Sequence, residues 1–446
     1  MDAGSERVLE QVKKDDVKFV NLWFTDFFGS VKSTSIPVEK LEESLEEGTW
    51  FDGSSIQGFA RIHESDMILK PDPSTYAVLP WRPREKATAR LICDVYTPDG
   101  KPFEGDPRNI LKRAVDEARD MGFVYNTGPE LEFFLFRLNG EPTPKPVVHD
   151  YAGYFDYAPK DMASDVRRNI VLAVEEMGLV TEMSHHEVAP GQHEIDFRYG
   201  PALQTADNTI TLKTVTKSIA SSMELHASFM PKPIFGQNGS GMHIHQSLFD
   251  DGGRNAFFDK DDRYRLSSTA RHFIAGQLEH IGAIAAVVNP SVNSYKRLVS
   301  GYEAPVYVCW ASTNRSALIR VPRYSPGREQ SIRAELRCPD PGCNPYLAFA
   351  VMLRAGIDGV KKKTRVPDPV EEDVYGFSDE KLRELGIGML PSSLKEALEA
   401  FARSGLARKT FGQHTFDKYI EAKMKEWESF RIAVTDWEKE KYLGTL

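Results

Sequence analysis

Residues 128–136, Gly-Pro-Glu-Leu-Glu-Phe-Phe-Leu-Phe, place two carboxylates on one side of a stretch that alternates with a period of two. Leu131, Phe133 and Leu135 point one way, and Glu130, Glu132, Phe134 and Phe136 point the other. Such a strand has one wholly apolar face and one that begins acidic and ends aromatic. An unpaired buried charge costs more than packing returns, so carboxylates flanked by phenylalanine call for a cation. Two residues of strand separate Glu130 and Glu132 by about 7 Å, enough for each to anchor its own ion. Alone, a Glu-x-Glu strand is more often a half-exposed edge with a solvated face, so the neighbouring motifs decide.

The pattern recurs. Glu187 and Glu194 stand seven apart within His185-His186-Glu187-Val188-Ala189-Pro190-Gly191-Gln192-His193-Glu194. In 241–247, His243, His245 and Ser247 share one strand face while Met242 and Ile244 take the other. In 333–337, Arg333, Glu335 and Arg337 share a face opposite Ala334 and Leu336. If these segments assemble, they line a cavity with carboxylate, imidazole and guanidinium groups. Oxygen ligands with one or two nitrogens suit Mg²⁺ or Mn²⁺ rather than zinc. Arginines beside such ions grip phosphate or carboxylate bidentately, and the combination points to phosphoryl transfer from a nucleotide. The glycine-rich turn at 236–241 is neither a Walker A loop nor a dinucleotide fingerprint, because the required spacing is missing.

Elements that could hold these residues follow from periodicity. A short helix over 5–14 precedes two strands, 17–24 and 29–36, around a hairpin signal at Thr25-Asp26-Phe27-Phe28. A short acidic helix at 38–47, a loop at 51–55 and a strand pair at 76–79 and 89–95 complete a small β-rich unit. After the turn-rich connector 97–102, helices are expected at 108–121, 162–178, 202–226, 262–286 and 344–360. Strands are expected at 130–137, 192–199, 241–249, 315–321 and 331–337. Strands scattered among long helices without a regular β-α beat indicate an α+β fold. The aromatic, charged tail 416–443 suits amphipathic helices docking on the body or on another subunit.

Bulk properties bound the rest. The chain has 446 residues, 41% hydrophobic, with a net charge of −9 spread along its length. That argues against a nucleic-acid footprint, which needs a basic stripe. Cys93, Cys309, Cys338 and Cys343 lack zinc or redox spacing and read as reduced and structural. The first residues carry no apolar signal, and the longest apolar run, 281–288, is too short to span a membrane. A soluble, cytoplasmic protein is expected.

Taken together, the motifs are specific. Asp-Gly-Ser-Ser at 52–55, Glu64-Ser65-Asp66, Gly128-Pro129-Glu130-x-Glu132, the Glu187–Glu194 pair, Lys232-Pro233, Asn238-Gly239-Ser240-Gly241-Met242-His243 and Asn344-Pro345-Tyr346-Leu347 occur in this order. From about residue 16 to the end, the chain resembles the glutamine synthetases, the ATP-dependent glutamate–ammonia ligases. The resemblance implies an N-terminal β-grasp domain over 1–103 and a catalytic domain over 104–446 ending in a helical tail. The catalytic domain would carry a largely antiparallel sheet forming an active-site funnel flanked by helices. A dodecamer of two hexameric rings, with active sites between subunits, is also implied.

Matched residue by residue, the resemblance gives one Mg²⁺ or Mn²⁺ site as Glu132, Glu187 and Glu194, and another as Glu130, His243 and Glu335. L-glutamate falls to Asn238, Gly239, Arg297, Glu303, Arg315 and Arg337, and ATP to Glu182, Tyr199, His245, Ser247, Arg315, Arg320 and Arg333. The catalytic set is Asp52 of a neighbouring subunit, which takes a proton from ammonium, Glu303 on a mobile flap, and Arg315 near the transferred phosphate. The intact Asp-Gly-Ser-Ser loop and Glu303 favour ammonia over larger amines as acceptor. No adenylylation segment lies between 365 and 410, which implies the shorter, non-adenylylated alpha-like branch of the type I enzymes. In that branch Arg61 would contribute to feedback inhibition by glutamine, and a small nitrogen-regulatory protein is an admissible partner. Asn21 and Gln330 depart from residues common in relatives and bear on effector response and nucleotide affinity.

Overall fold

Hydrophobic alternation from residue 17 onward builds the first sheet. In the computed structural model, which describes residues 2–54, 56, 66–138 and 147–446, the strands are β1 (Val17–Thr25), β2 (Val31–Pro37), β3 (Thr49–Asp52), β4 (Asp66–Pro71), β5 (Ala77–Val78) and β6 (Ala87–Tyr96). The hairpin between β1 and β2 closes on Asp26, whose Oδ1 accepts from the amides of Phe28 (2.9 Å) and Ser30 (3.0 Å). The order is β2-β1-β6-β4-β3, with β1 and β6 parallel and β5 on β6. Val20, Leu22, Leu69, Leu91 and Val95 pack there against Val8 and Val12 of the opening helix Ala3–Lys14. The expected loop at 51–55 begins instead as β3, whose last residue, Asp52, pairs with Asp66. Trp50 and Phe51 favour a pleated edge over a turn.

The second sheet has ten strands among the described residues. They are β7 (Phe123–Arg137), β8 (Thr181–His186), β9 (Gln192–Phe197), β10 (Gly200–Pro201), β11 (Leu225–Ser228), β12 (Met242–Asp250), β13 (Tyr307–Ala311), β14 (Ala317–Arg320), β15 (Ala334–Leu336) and β16 (Gly388–Met389). They run β16-β13-β14-β15-β12-β7-β9-β8, with β10 and β11 on β7, and every pairing except β13–β14 is antiparallel. The alternation in β7 appears as expected: Leu131, Phe133 and Leu135 enter the main core, while Phe134 and Phe136 form a separate cluster with Val148 and Ala189. Long helices Pro107–Arg119, Ala202–Ser222, Ser268–Val288 and Pro345–Lys362 contribute buried faces to that core. The last two touch glycine to glycine: a Cβ on Gly276 would meet the Ala355 carbonyl at 2.2 Å.

Several expected boundaries moved for local reasons. The helix expected to run to 226 stops at Ser222, because Leu225–Ser228 joins the sheet beside β7. The helix expected from 262 starts at Ser268, because Asp262 folds a turn by accepting from the amides of Tyr264 and Leu266 and Ser267 caps Ala270. In the tail, helix Gln413–Arg431 docks through Phe416 and Tyr419, while helix Asp436–Tyr442 buries nothing. All four cysteines are buried free thiols.

One charged knot ties the two sheets' units. Arg108, buried, reaches Asp72 (2.7 Å) and Asp94 (2.8 Å) near the first sheet and Asp207 (3.0 and 2.9 Å) on helix Ala202–Ser222, and the Tyr346 hydroxyl donates to Asp207 at 2.6 Å. Removing one partner of a buried network strands the others. Arg108→Met is therefore expected to lower unfolding stability by about 3–5 kcal/mol. Urea denaturation at neutral pH checks it; a loss under about 1 kcal/mol contradicts it.

Candidate active site

Strand register, rather than proximity in sequence, gathers the acidic residues. On the face away from the main core, Glu130 of β7 lies opposite Asp196 of β9 and opposite His243 of β12, and Glu132 lies opposite Glu194. A second row runs from Arg320 of β14 to Glu335 of β15 and on to His245 of β12. Glu187 enters from the turn just past β8. Like charges directly opposite one another destabilise a sheet. Here a block of four carboxylates is opposed in two such pairs, Glu130–Asp196 and Glu132–Glu194.

The carboxyls of the cluster are displaced in both directions from their ordinary values. Burial, followed by repulsion from Glu187, pushes the Glu132 carboxyl up to about 8. Burial and then Glu130 push Asp196 to about 7. Burial and then Asp196 drive Glu194 further up. Two members of the cluster behave oppositely. Burial alone would raise Glu130, but hydrogen bonds from His243 and His245 overcome it and hold the carboxyl well below its usual range. Glu335 is likewise opposed by burial and yet sits at about 2, because His245, Arg337, His243 and Arg320 surround it.

The geometry separates two candidate cation positions. Octahedral Mg²⁺ at about 2.1 Å from its ligands sets neighbouring donor atoms about 3 Å apart. His243 Nδ1 lies 3.3 Å from Glu130 Oε2 and 3.9 Å from Glu335 Oε1, near that spacing. His245 is closer still to Glu130 (Nε2–Oε1 2.6 Å), and it forms a three-residue group with Glu130 and Glu335. However, Arg333 Nε donates to His245 Nδ1 at 3.0 Å, so the imidazole carries its proton on Nε2 and donates it to Glu130. A protonated nitrogen cannot ligate, and His245 therefore links the acid to Arg333. On the other side, His185 joins Glu187 (3.5 Å) and Glu194 (3.7 Å), while Glu132 Oε2 accepts from Gln192 Nε2 (2.8 Å) and the Gly241 amide (3.0 Å).

Beside the first row opens a cavity of 370 Å³ whose walls include Glu182, Tyr199, His245, Ser247, Gln330 and Arg333. Gly128 faces it without a side chain; a Cβ there would meet Tyr199 Cβ at 3.0 Å. Arg320 stands outside that wall, its Nε on Glu335 Oε2 at 2.5 Å, and Arg337 Nη1 reaches Glu335 Oε1 at 2.6 Å. Arg315 is exposed, two residues before β14.

Asn238 Nδ2 donates to Glu303 Oε2 at 3.3 Å, and Glu303 holds a left-handed backbone at φ 57°. Gly239 admits no side chain, since a Cβ would sit 2.2 Å from the Pro231 carbonyl. Arg297 is buried behind Gly241 and donates to the carbonyls of Cys338 (2.7 Å), Pro339 (3.1 Å) and Arg337 (3.2 Å). Asp52 is exposed at the end of β3, held by the Ser54 amide at 2.8 Å, and contacts none of these groups among the described residues. Ser55, Arg61, Glu64 and Ser65 lie outside the described residues.

Comparison with known proteins shows the family to which the chain belongs. The family model "Glutamine synthetase, catalytic domain" matches residues 104–442, and "Glutamine synthetase, beta-Grasp domain" matches 16–98. A curated glutamine synthetase from Methanosarcina mazei is 55% identical over 441 residues, spanning 99% of this chain and 98% of its own. Those from Thermotoga maritima and Thermus thermophilus are 50% and 51% identical, each over 98% of this chain and 99% and 98% of their own lengths. The solved GmaS/ADP complex superposes with a TM-score of 0.89 at 29% identity, covering 98% of this chain and 99% of that one.

The chain belongs to the glutamine synthetase family.

Two residues of the acidic site were not picked out by sequence. Asp196 lies two positions after Glu194, so the same period-two reading would have put it on the acidic face. Tyr154 had no such signal. It comes from an irregular loop, stands edge-on to His185 at 5.6 Å, and has its phenol raised by burial and by Glu187 and Glu194.

Proposed function

We propose a division of labour within the ATP-dependent formation of glutamine from glutamate and ammonia. Glu132, Glu187 and Glu194 would hold one divalent cation, and Glu130, His243 and Glu335 a second, with Mg²⁺ or Mn²⁺ suited to this oxygen-rich set. The observation that carries this reading is the pair of carboxylate-on-carboxylate rows, Glu130–Asp196 and Glu132–Glu194. A cation held there would supply positive charge against the transferring phosphoryl group. Glu182, Tyr199, His245, Ser247 and Arg333 would line the ATP cavity, with Arg315 and Arg320 at the phosphate end. Asn238, Gly239, Arg297 and Arg337 would take glutamate.

The γ-carboxylate is a poor electrophile, so it is first phosphorylated by ATP to γ-glutamyl phosphate, and ammonia then displaces phosphate. Arg315 stabilises charge on the transferring group. Glu303, on the segment that Asn238 already touches, closes over the intermediate and keeps water from hydrolysing it. Asp52 of a neighbouring subunit takes the proton from ammonium, which is not itself a nucleophile. The same reading includes a boundary at 103/104, a cytoplasmic dodecamer of the shorter type I branch, and feedback by glutamine through Arg61.

Purified protein is expected to release ADP only when glutamate, a divalent cation and ammonium are all present, with methylamine a far poorer acceptor. Preference for the alkylamine overturns the acceptor assignment. In the same assay Arg333→Ala is expected to raise KM for ATP by about 10- to 100-fold, since it removes a guanidinium from a site for phosphate groups. An unchanged ATP KM contradicts the nucleotide assignment.

A further inference from the structure

Each of two acids in the Glu132–Glu187–Glu194 set follows a histidine: His186-Glu187 and His193-Glu194. The loop between β7 and the next helix brings in two more acids, Asp150 against His186 and Asp161 against Arg167, which in turn donates to His193. His186 Nε2 lies 2.8 Å from Asp150 Oδ1, with both side chains fully buried, and His186 Nδ1 lies 2.7 Å from the carbonyl oxygen of Glu187. A carbonyl and a carboxylate only accept, so His186 donates from both nitrogens. Asp150 Oδ1 accepts a further bond from the Gly191 amide (3.1 Å), and its Oδ2 accepts from the Met162 amide (3.1 Å).

These bonds close a frame. The Glu187 amide donates to the Gln192 carbonyl at 2.8 Å, and Gln192 Nε2 donates to Glu132 Oε2 at 2.8 Å. The turn 187–192 therefore carries one acid at its start and the group that orients another at its end. Asp150 holds both ends, the first through His186 and the second through Gly191.

Asp150, His186 and His193 have ligand-type atoms close enough to suggest an ion of their own. The hydrogen bonds argue otherwise. His193 Nδ1 accepts from Arg167 Nη1 at 2.9 Å, and arginine only donates, so the His193 proton sits on Nε2 and that nitrogen cannot ligate. Arg167 is itself gripped by Asp161 at 3.1 and 2.5 Å. The cluster is a hydrogen-bonded scaffold.

We propose that Asp150 and His186 are positioning residues for the cation site of Glu132, Glu187 and Glu194, fixing the turn that aims two of its three acids. This rests on the assignment of those acids as ligands. Partners that orient the ligands of a metal commonly contribute 10- to 100-fold to its affinity.

The test is Mn²⁺ titration of the metal-stripped full-length protein, with free Mn²⁺ read by electron paramagnetic resonance and folding checked by circular dichroism. Asp150→Asn and His186→Phe are each expected to weaken one class of Mn²⁺ site by about 10- to 100-fold and leave the other class unmoved. The double variant should be no weaker than the worse single one, because both act through one turn. His186→Asn, which can still donate to the Glu187 carbonyl, should recover part of the loss. Glu187→Gln serves as the control. If it does not weaken Mn²⁺, the ligand assignment itself fails and the inference with it. If it does, and folded Asp150→Asn and His186→Phe bind both ions as the parent does, the positioning role alone is overturned.

Discussion

Glu335→Ala is expected to lower glutamine formation by about 10³-fold or more, the scale of losing charge stabilisation at a phosphoryl-transfer site. Glu335 is fully buried and sits between two guanidiniums, Arg320 at 2.5 Å and Arg337 at 2.6 Å, with His243 Nδ1 3.9 Å away. Its removal does more than delete one ligand. Two arginines and an imidazole then face one another with no anion between them, so the pocket that should attract a cation repels it. The buried partners left behind also cost stability, about 3–5 kcal/mol. A melt separates the two effects, and Glu335→Gln, which keeps the shape without the charge, should lose nearly as much activity. Retention of more than about a tenth of the parent rate by either folded variant contradicts the role given to this carboxylate.

The metal-free chain is expected to lose stability as pH rises from about 5 to 8, and a divalent cation should cancel that loss. The sign follows from Glu132 and Asp196, raised by burial and then by neighbouring acids to about 8 and about 7 from 4.5 and 3.8. A carboxyl whose folded pKa exceeds its unfolded one binds its proton more tightly when folded. Its contribution is complete below the unfolded value and disappears as pH climbs through the folded value. Each such group can remove about 1.4 kcal/mol per pH unit across its window. Glu130 and Glu335 shift downward and act below that range. Thermal melts at pH 5.5 and 8, with and without saturating Mn²⁺, should show a large cation effect at the higher pH and a small one at the lower. Glu132→Gln should flatten the metal-free slope. Equal slopes with and without the cation contradict the account.

Much of this site was legible because strands write their faces into sequence. Glu130, Glu132, His243 and Glu335 each sit in a period-two pattern with apolar residues behind, and the structure stands those faces side by side. What periodicity cannot give is register. Nothing local says that Glu132 meets Glu194 or that Glu130 meets Asp196, since those pairings join residues more than sixty positions apart. Nor could it separate His243 from His245. Only the bond from Arg333 distinguishes them, by setting which nitrogen carries the proton. Strands β8 and β13 also went unanticipated. β8 (Thr181–His186) is polar and mostly uncovered, and β13 (Tyr307–Ala311) is a short apolar run that lacks alternation. Tyr154 and Asp150 reach the site from irregular chain, where spacing carries no directional information.

The most direct test is anomalous diffraction from crystals of the protein grown with Mn²⁺. Two Mn²⁺ peaks per chain are predicted, one against Glu132, Glu187 and Glu194 and the other against Glu130, His243 and Glu335. A map with no peak among these six side chains, or with Mn²⁺ held elsewhere, would leave the opposed carboxylates without a purpose and contradict the mechanism.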